Sequence, residues 1–506
     1  MANIGLKNSV MGVKAETTEG VYAAPSATTD YVALQPDAAI VPETETLENV
    51  ELTGTNAASK PIQGLETPTA TFSSYLKNSG TEGVAPETGP ILKAMFGTEA
   101  VRVTERDTVA GSTTSVINVD SGEGLEYQRG DCLLIKDGTN GYRIRPVHSV
   151  SADALTLGFN VPTAPGTGVN LGKSVSYIPA DSDHDSLSLS YYAGNGGAVS
   201  AIAGARPTGY SITADAGQLI NGNFTFEGIK YLMNPITTTA SDIYLDFTDD
   251  GGTFAAVVEA KSWKDPVELA EALTVSMNSV QTAETHSVVY NSTGANAGKF
   301  TISTSTSTVL SLLSNTGTNA ANTVMDKLGF SVAADQTGAT EYVGDNELSW
   351  VAPQTPSYDG QDAISAKNHE VMLSADGTDY SCISPSTISI NPTNTKANIN
   401  DICSESGVSG SLITSRASTI SFTAILPKHD VEKFAWFRKN QTVRFQYSFG
   451  TKEGGNWIPG KCGAWYTPSA VISSISIENE DDIARVSVEL TPFSDGGLGE
   501  LFLSFV

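Results

Sequence analysis

The feature that most constrains this chain is an internal repeat. In one copy, Leu34-Gln35-Pro36 and Ile40-Val41-Pro42 lead into a polar arm that ends at a strand around Phe72. In the other, Ile383-Ser384-Pro385 and Ile390-Asn391-Pro392 lead into a similar arm that ends around Phe422. Thirty residues separate Pro42 from Phe72, and thirty separate Pro392 from Phe422. A short helix follows each strand, Pro90 to Phe96 in one copy and Asp430 to Arg438 in the other. Each copy then has an aromatic strand, a Gly-rich turn and a closing pair of strands, Tyr210 to Phe226 and Val471 to Leu490. Any one match can arise by chance, but their common order points to duplication, and a duplication decides the architecture before any single element does.

Two stretches interrupt the pattern. Residues 98–183 carry Arg129-Gly130-Asp131, a strand at Cys132 to Ile135, an Asp137-Gly138 turn and a strand at Tyr142 to Val147, the pattern of a small inserted β-barrel. Residues 229–349 run strand, Asp250-Gly251 turn, strand, helix, strands and a short helix ending at Leu328-Gly329-Phe330, and read as one α+β module. Its helix has strong start signals: Asp265 as cap, Pro266 in the first turn, Glu268 completing a capping box, and Leu269, Leu273 and Met277 on one face. The expected organisation is a first unit from 1–97 and 184–228, the barrel at 98–183, the module at 229–349, and a second unit at 350–506.

Elsewhere strand signals dominate. TATFSSYL at 69–76, SLSLSYY at 186–192, TISFTAIL at 419–426 and VRFQYSF at 443–449 alternate apolar with polar residues between Gly, Asn, Asp and Pro. The expected fold class is mainly β, a β-rich α+β chain with two sandwich or barrel units, one short helix in each, and two inserted modules.

Charge removes one class of function. Lys plus Arg number 29 against 56 Asp plus Glu, a formal net charge of −27. Tight nucleic-acid binding draws on counterion release by basic side chains, so this chain is poorly suited to it. Apolar residues make up 40%, enough to build cores, which sets the chain apart from disordered acidic tails. Cys132, Cys382, Cys403 and Cys462 form no CxxC and have no histidine at ligand spacing, so they read as buried reduced thiols and not as a zinc site. The opening MANIGLKNSV has no apolar signal core and no run approaches 18 apolar residues, so a soluble chain made without an export signal is expected.

The motifs that could carry chemistry are incomplete. Gly172-Lys173-Ser174 resembles the end of a phosphate loop, but the glycine spacing is off by one and a strand follows. Gly407-Val408-Ser409-Gly410-Ser411 lacks the last glycine of a nucleophile elbow, and Ser74-Tyr75-Leu76-Lys77 lies on a strand where SxxK works from a helix start. Asp181, Asp183 and Asp185 around His184 supply hard oxygen ligands suited to calcium. The sixth and twelfth places of that loop hold Ser186 and Tyr192, where Gly and Glu are needed, so a solvated acidic turn is the favoured reading. His148, His286, His369 and His429 have no paired acid nearby in sequence. No enzyme and no cofactor are expected.

The arm from Glu43 to Gly64 reads differently. Glu43 and Glu45 share a strand face, and Glu48 and Glu51 follow in a Gly-, Thr- and Asn-rich stretch that cannot build a core alone. Such long arms usually pack on a neighbour. Its counterpart runs from Pro392 to Ser411, with Asn391, Asn400 and Asp401 as further candidate contacts.

Taken together, Lys14 to Tyr22 followed by Pro25, the series from Asn49 through Gly64 to Leu76, Gly89-Pro90-Ile91-Leu92-Lys93-Ala94-Met95-Phe96-Gly97, and Gly204 to Gly228 resemble the major tail tube proteins of tailed bacteriophages. The resemblance covers 1–97 and 184–228 directly and extends through the repeat to 363–506. It implies β-sandwich units that join edge to edge in rings, and rings that stack into a tube conducting DNA during ejection. With two units per chain, three chains complete a ring. It further implies arms that bridge rings, contacts with other tail proteins at the tube ends, DNA as a transient passenger, no membrane, and a place in the virion tail after synthesis in the host bacterial cytoplasm. An acidic lining suits such a conduit because it gives phosphates nothing to bind. The alternative from another class is an extracellular or cell-surface β-domain adhesin that binds glycans. It accounts for the Ser/Thr-rich strands but not for the duplicated arm.

Overall fold

The computed structural model describes residues 4–51, 59–182, 184–378, 381–427, 431–480, 482–495 and 499–506, with the backbone alone at 381, 382 and 480. The fold is mainly β. Among the described residues no helix is long and apolar enough to cross a membrane.

Two sets of strands dominate. The first comprises β1 (Val10–Ala15), β2 (Ala39–Val41), β3 (Thr69–Tyr75), β4 (Leu187–Ala193), β5 (Ala198–Asp215), β6 (Asn221–Glu227) and β7 (Lys230–Met233). The second comprises β8 (Glu370–Ser374), β9 (Pro385–Asn400), β10 (Val408–Ile425), β11 (Val443–Glu453), β12 (Asn456–Glu480), β13 (Ile483–Pro492) and β14 (Phe502–Phe505). All pairings among them are antiparallel, and the order is the same in both. In the first it runs β1-β4-β5-β6-β3-β2, with β7 also on β5. In the second it runs β8-β11-β12-β13-β10-β9, with β14 also on β12.

The registers correspond as well as the order. Ile40 faces Ala70 and Ile390 faces Ile420. Phe224 stands between Phe72 and Tyr210, as Val488 stands between Phe422 and Ile475. Ile202 faces Leu189 and Tyr231, as Trp465 faces Tyr447 and Leu503.

Both sets place apolar residues on every second position, and these meet in one core. Phe72, Phe224, Phe226, Tyr210, Leu187, Leu189, Ile390, Phe422, Phe445, Tyr447, Trp465 and Val488 all belong to it. Removing each from water contributes on the order of 1.5–3 kcal/mol. The long strand β5 has to bend so that one half pairs with β4 and β7 and the other with β6. Gly204 permits the bend: its φ is +66°, and a Cβ there would lie 2.4 Å from Ile229.

Helix α1 (Gly89–Phe96) starts with Pro90 in its first turn and stops at Gly97, whose φ is 95°. It buries Ile91, Leu92, Met95 and Phe96 in the shared core. Helix α2 (Pro266–Val280) starts at the predicted cap, where Asp265 accepts from the Val267 and Glu268 amides, while Glu268 accepts from the Lys264 amide. Helix α3 (Glu432–Lys439) closes at Asn440 in the left-handed region; Asp430, its expected cap, lies outside the described residues.

The two sets join within the chain at one seam, and a further pair of strands extends the second set. The second half of β5 pairs with β9, from Gly209 opposite Thr393 to Asp215 opposite Thr387. The C-terminal strand β14 pairs not only with β12 but also with Ser174–Pro179, which in turn pairs with Gly97–Arg102. A separate six-stranded sheet lies between Arg106 and Leu171, around Leu133, Ile135, Val147 and Leu155. The strands that bracket it belong to the large sheet. Residues Ile236 to Val343 form small sheets and α2 around their own core of Phe247, Leu273, Met277 and Phe300.

Of the cysteines, Cys132 and Cys462 are buried in one apolar cluster and burial pushes the Cys132 thiol up to about 12. Cys403 departs from the expected burial: it sits in the turn after β9 and is exposed. The side chain of Cys382 is not described.

Candidate assembly surface

The seam between β5 and β9 makes one continuous antiparallel sheet of eight strands, β2-β3-β6-β5-β9-β10-β13-β12. One face is the core. The other carries Thr69, Thr71, Ser73, Asn221, Asn223, Thr225, Ser211, Thr213, Ser389, Asn391, Thr419, Ser421, Thr423, Ser487 and Ser476. Small hydroxyls and amides tie neighbouring strands together there. Asn223 donates to the Ser73 hydroxyl at 3.1 Å, and Ser73 donates to Asp37. The Ser211 hydroxyl donates to Asn391 Oδ1 at 2.6 Å across the seam. Acidic side chains on this face are few: Asp215, Glu227, Glu478 and Glu489 stand on its strands, and Asp37 and Glu43 reach it by accepting from the Ser73 and Thr69 hydroxyls; Arg485 is the basic one among the described residues. The face is thus largely neutral, with the balance acidic; most of the −27 lies elsewhere on the molecule.

The sheet ends in two edges. β2 pairs with β3 on one side, and the last residues of β12, beyond Ala470, pair with β13 on one side. Among the described residues neither has a partner on the other. Sequence reasoning passed over these edges, although the alternating Ile475-Ser476-Ile477-Glu478 was a visible signal.

The arms stand at one end of this sheet. Thr44–Leu47 and Ile62–Glu66 form a two-stranded hairpin, the first arm, of which residues 52–58 lie outside the described residues. Glu43 sits at its base, where its carbonyl accepts from the Thr67 amide at 2.8 Å. Glu45, Glu48 and Glu51 are exposed along it. The second arm is the outer part of the β9–β10 hairpin, with Asn400 opposite Val408. The Asp401 amide closes its turn on the Gly407 carbonyl at 2.9 Å, and Asp401 Oδ1 accepts from the Cys403 amide. Asn391 is not on the arm. Because β9 is sixteen residues long, Asn391 lies well below the tip, at the seam.

The two arms touch. The Glu66 amide donates to the Ser406 carbonyl at 3.2 Å, and Gly407 lies so close to Leu65 that a Cβ would come within 2.5 Å. Lys264 reaches Glu66 at 3.1 Å and Glu405 at 3.6 Å, and Lys230 reaches Glu405 at 3.1 Å. Burial works against the charge of Lys264, but Glu66, Glu405 and Glu268 outweigh it and hold its ammonium above the usual lysine range. Leu47, Val50, Ile62, Ile399, Ile402 and Leu412 are exposed on these arms, an apolar fringe on segments that bury little of their own.

The candidate calcium residues do not converge. Asp181 pairs with Arg416 at 3.0 Å and Asp185 with Lys93 at 2.8 Å, while Asp183 lies outside the described residues. The ring of His184 contacts the carbonyls of Ala94 and Ala180. Among the described residues no three His, Cys, Asp or Glu side chains gather as a metal would need. Ser74 and Lys77 lie on and just after β3, and Lys173-Ser174 leads into a strand, so neither motif opens a helix.

No family model matches the chain, and no curated protein matches it. Among solved structures, a chain from the virion of a native gene transfer agent particle matches at 15% identity and a TM-score of 0.21, covering 28% of this chain and 99% of that one. The Hcp1 protein from E. coli EAEC 042 matches at 14% identity and a TM-score of 0.16, covering 26% of this chain and 95% of that one. A further Hcp protein matches at 13% identity and 0.16, covering 26% and 94%.

Proposed function

We propose that the chain is a structural subunit of a tube: two sandwich units in one chain, closing into rings of three chains that stack through the arms and enclose a channel for DNA in a virion tail. The observation that carries this reading is the eight-stranded sheet, which runs through both sets of strands without a break and ends in two open edges. An open edge invites pairing, and a sheet that continues from chain to chain leaves none. Three such sheets would make a barrel of twenty-four strands. At a strand spacing of about 4.8 Å and a tilt of about 40°, its backbone diameter is roughly 50 Å, wide enough for a duplex.

The polar face suits the inside of that barrel. Serine, threonine and asparagine offer no counterion release to phosphates, and the scattered carboxylates repel them, so DNA slides without sticking. The sheet at 106–171 and the module at 236–343 lie on the outer side in this arrangement, since an insert in the channel would block it. Other tail proteins would meet the tube at its ends. Negative-stain microscopy of the purified chain tests the reading: hollow tubes or rings are expected, and dispersed monomers that bind a glycan array would overturn it in favour of an adhesin.

A further inference from the structure

The seam inside the chain serves as a template for the seam between chains. This step rests on the ring reading and goes beyond it by fixing which residues meet. In the internal seam, β5 of the first set lies beside β9 of the second. The counterpart of β5 is β12, and the counterpart of β9 is β2, which are the two strands with open edges. Tyr210 corresponds to Ile475, because each stands opposite the middle residue of an equivalent ladder, and Ile212 therefore corresponds to Ile477.

Exposure at these positions points the same way. Ile212 and Ile390, which meet at the internal seam, are both 0% exposed, whereas Ile477 is 61% exposed and Ile40 is half-buried. Tyr210 is buried and Ile475 is half-buried. Val41, on the polar face of β2, is exposed. The apolar side chains needed to seal a seam are in place, with Ile477 exposed and Ile40 and Ile475 only partly covered.

We infer that a second copy of this chain lays its β2 antiparallel against the end of β12, with Ile40 opposite Ile477. The internal ladder pairs Ile212 with Ile390, Thr213 with Ser389 and Ala214 with Ile388. Carried across, it pairs Ile477 with Ile40, Glu478 with Ala39 and Asn479 with Ala38, and sets Ser476 opposite Val41 on the polar face. Pro42 falls where Pro392 falls. The internal ladder resumes at Thr393 after a gap that spans Pro392, which has no N–H to give, so Pro42 is tolerated in the same place. Ile477 is held on the core side by its pairing with Val486, so a slip of one residue would set it opposite Ala39 or Val41, which lie on the polar side, and the mismatch of faces makes the register specific.

Cysteine pairing tests this register. In a Cys403→Ser background, Val41→Cys with Ser476→Cys places two exposed thiols directly opposite each other; Val41→Cys with Ser474→Cys is the slipped control. Oxidised assemblies of the first pair are expected to run on non-reducing gels as covalent dimers and trimers that dithiothreitol reverses. The slipped pair should give at least about tenfold less, since its Cβ atoms lie too far apart for a disulfide. Cross-linking through Ser474→Cys instead, or none from either pair in preparations that form tubes, would overturn the register and leave the tube reading standing. Absence of rings and tubes from the unsubstituted chain would remove both. Hydrogen exchange gives an independent reading without cysteines: the amides of 38–41 and 474–479 should gain protection on assembly, and unchanged exchange there in assembled rings would contradict the pairing.

Discussion

Ile477 and Val275 are both apolar, both exposed and similar in size, at 61% and 69%. They differ in place: Ile477 lies on an open strand edge and Val275 on the outer face of α2. Ile477→Lys should leave the monomer folded by circular dichroism, since the side chain packs on little within the chain, and should abolish ring formation by placing an unpaired charge in a dry seam. Val275→Lys should leave both the fold and ring formation intact. Electron microscopy of the two variants checks the contrast, and assembly by Ile477→Lys would place the contact elsewhere. The sequence spelled out this edge as Ile-Ser-Ile-Glu, yet alternation alone does not say whether a strand is central or terminal. In the same pattern at Tyr210-Ser211-Ile212-Thr213 the two apolar residues are buried because β9 lies beside them.

Two histidines carry a pH dependence. His148 Nδ1 meets the Tyr466 hydroxyl at 3.0 Å and His369 Nδ1 meets that of Tyr447 at 2.9 Å. Burial, and then the Arg444 guanidinium, push His148 down to about 4; burial pushes His369 down to about 4 as well. Each is neutral in the folded chain at a pH where it would already be protonated in the unfolded one. As pH falls below about 6.5 the unfolded state takes up protons first, so stability present above that pH is lost progressively toward about 4. Urea unfolding between pH 7 and 4 should show this loss, and His148→Asn with His369→Asn, though less stable at pH 7, should show a flatter profile. Neither histidine stood out in the sequence, because what sets them apart is tyrosines more than seventy residues away.

At the scale of elements, the arms and helices were legible to different degrees. The capping box set the start of α2 because caps act within four residues. The thirty-residue spacing marked both arms because it repeats in one chain. The contact between the arms, Glu66 with Ser406 and Leu65 against Gly407, had no local signal, since it depends on how β3 and β10 are brought together by a sheet. Under the tube reading the apolar fringe of Leu47, Val50, Ile399 and Ile402 meets the next ring. Replacing Asn400–Val408 by a two-residue turn should therefore permit single rings but shorten or abolish tubes, measured as tube length by microscopy. Loss of ring closure with stacking retained would show that the arms act within a ring.

For the whole molecule, the expected boundaries and the observed sheets differ in an instructive way. The insertion read as 98–183 includes all but the first residue of Gly97–Arg102, and the whole of Ser174–Pro179, strands which join the large sheet through β14, so the separable sheet is shorter. The module read as 229–349 includes β7, which pairs with β5. Both departures come from strands that pair with partners far away in the chain, where no periodicity could reveal them. The module has its own core and its ends lie close together, since the Trp350 indole donates to the Pro235 carbonyl at 3.3 Å. Excising Ile236–Leu348 and joining Pro235 to Ser349 by a short Gly-Ser linker should leave assembly intact, with tubes of smaller outer diameter; failure to assemble would make the module part of the wall.

In the proposed tube one chain supplies two consecutive parts of a ring, joined inside the chain in the way that chains are joined to each other. Cryo-electron microscopy of the assembled tube tests it most directly. Three chains per ring are expected, with a lumen wall of twenty-four continuous antiparallel strands in near-sixfold symmetry, and threefold symmetry outside, where each chain carries one pair of inserts. Six chains per ring, or a wall in which the second set of strands takes no part, would contradict it.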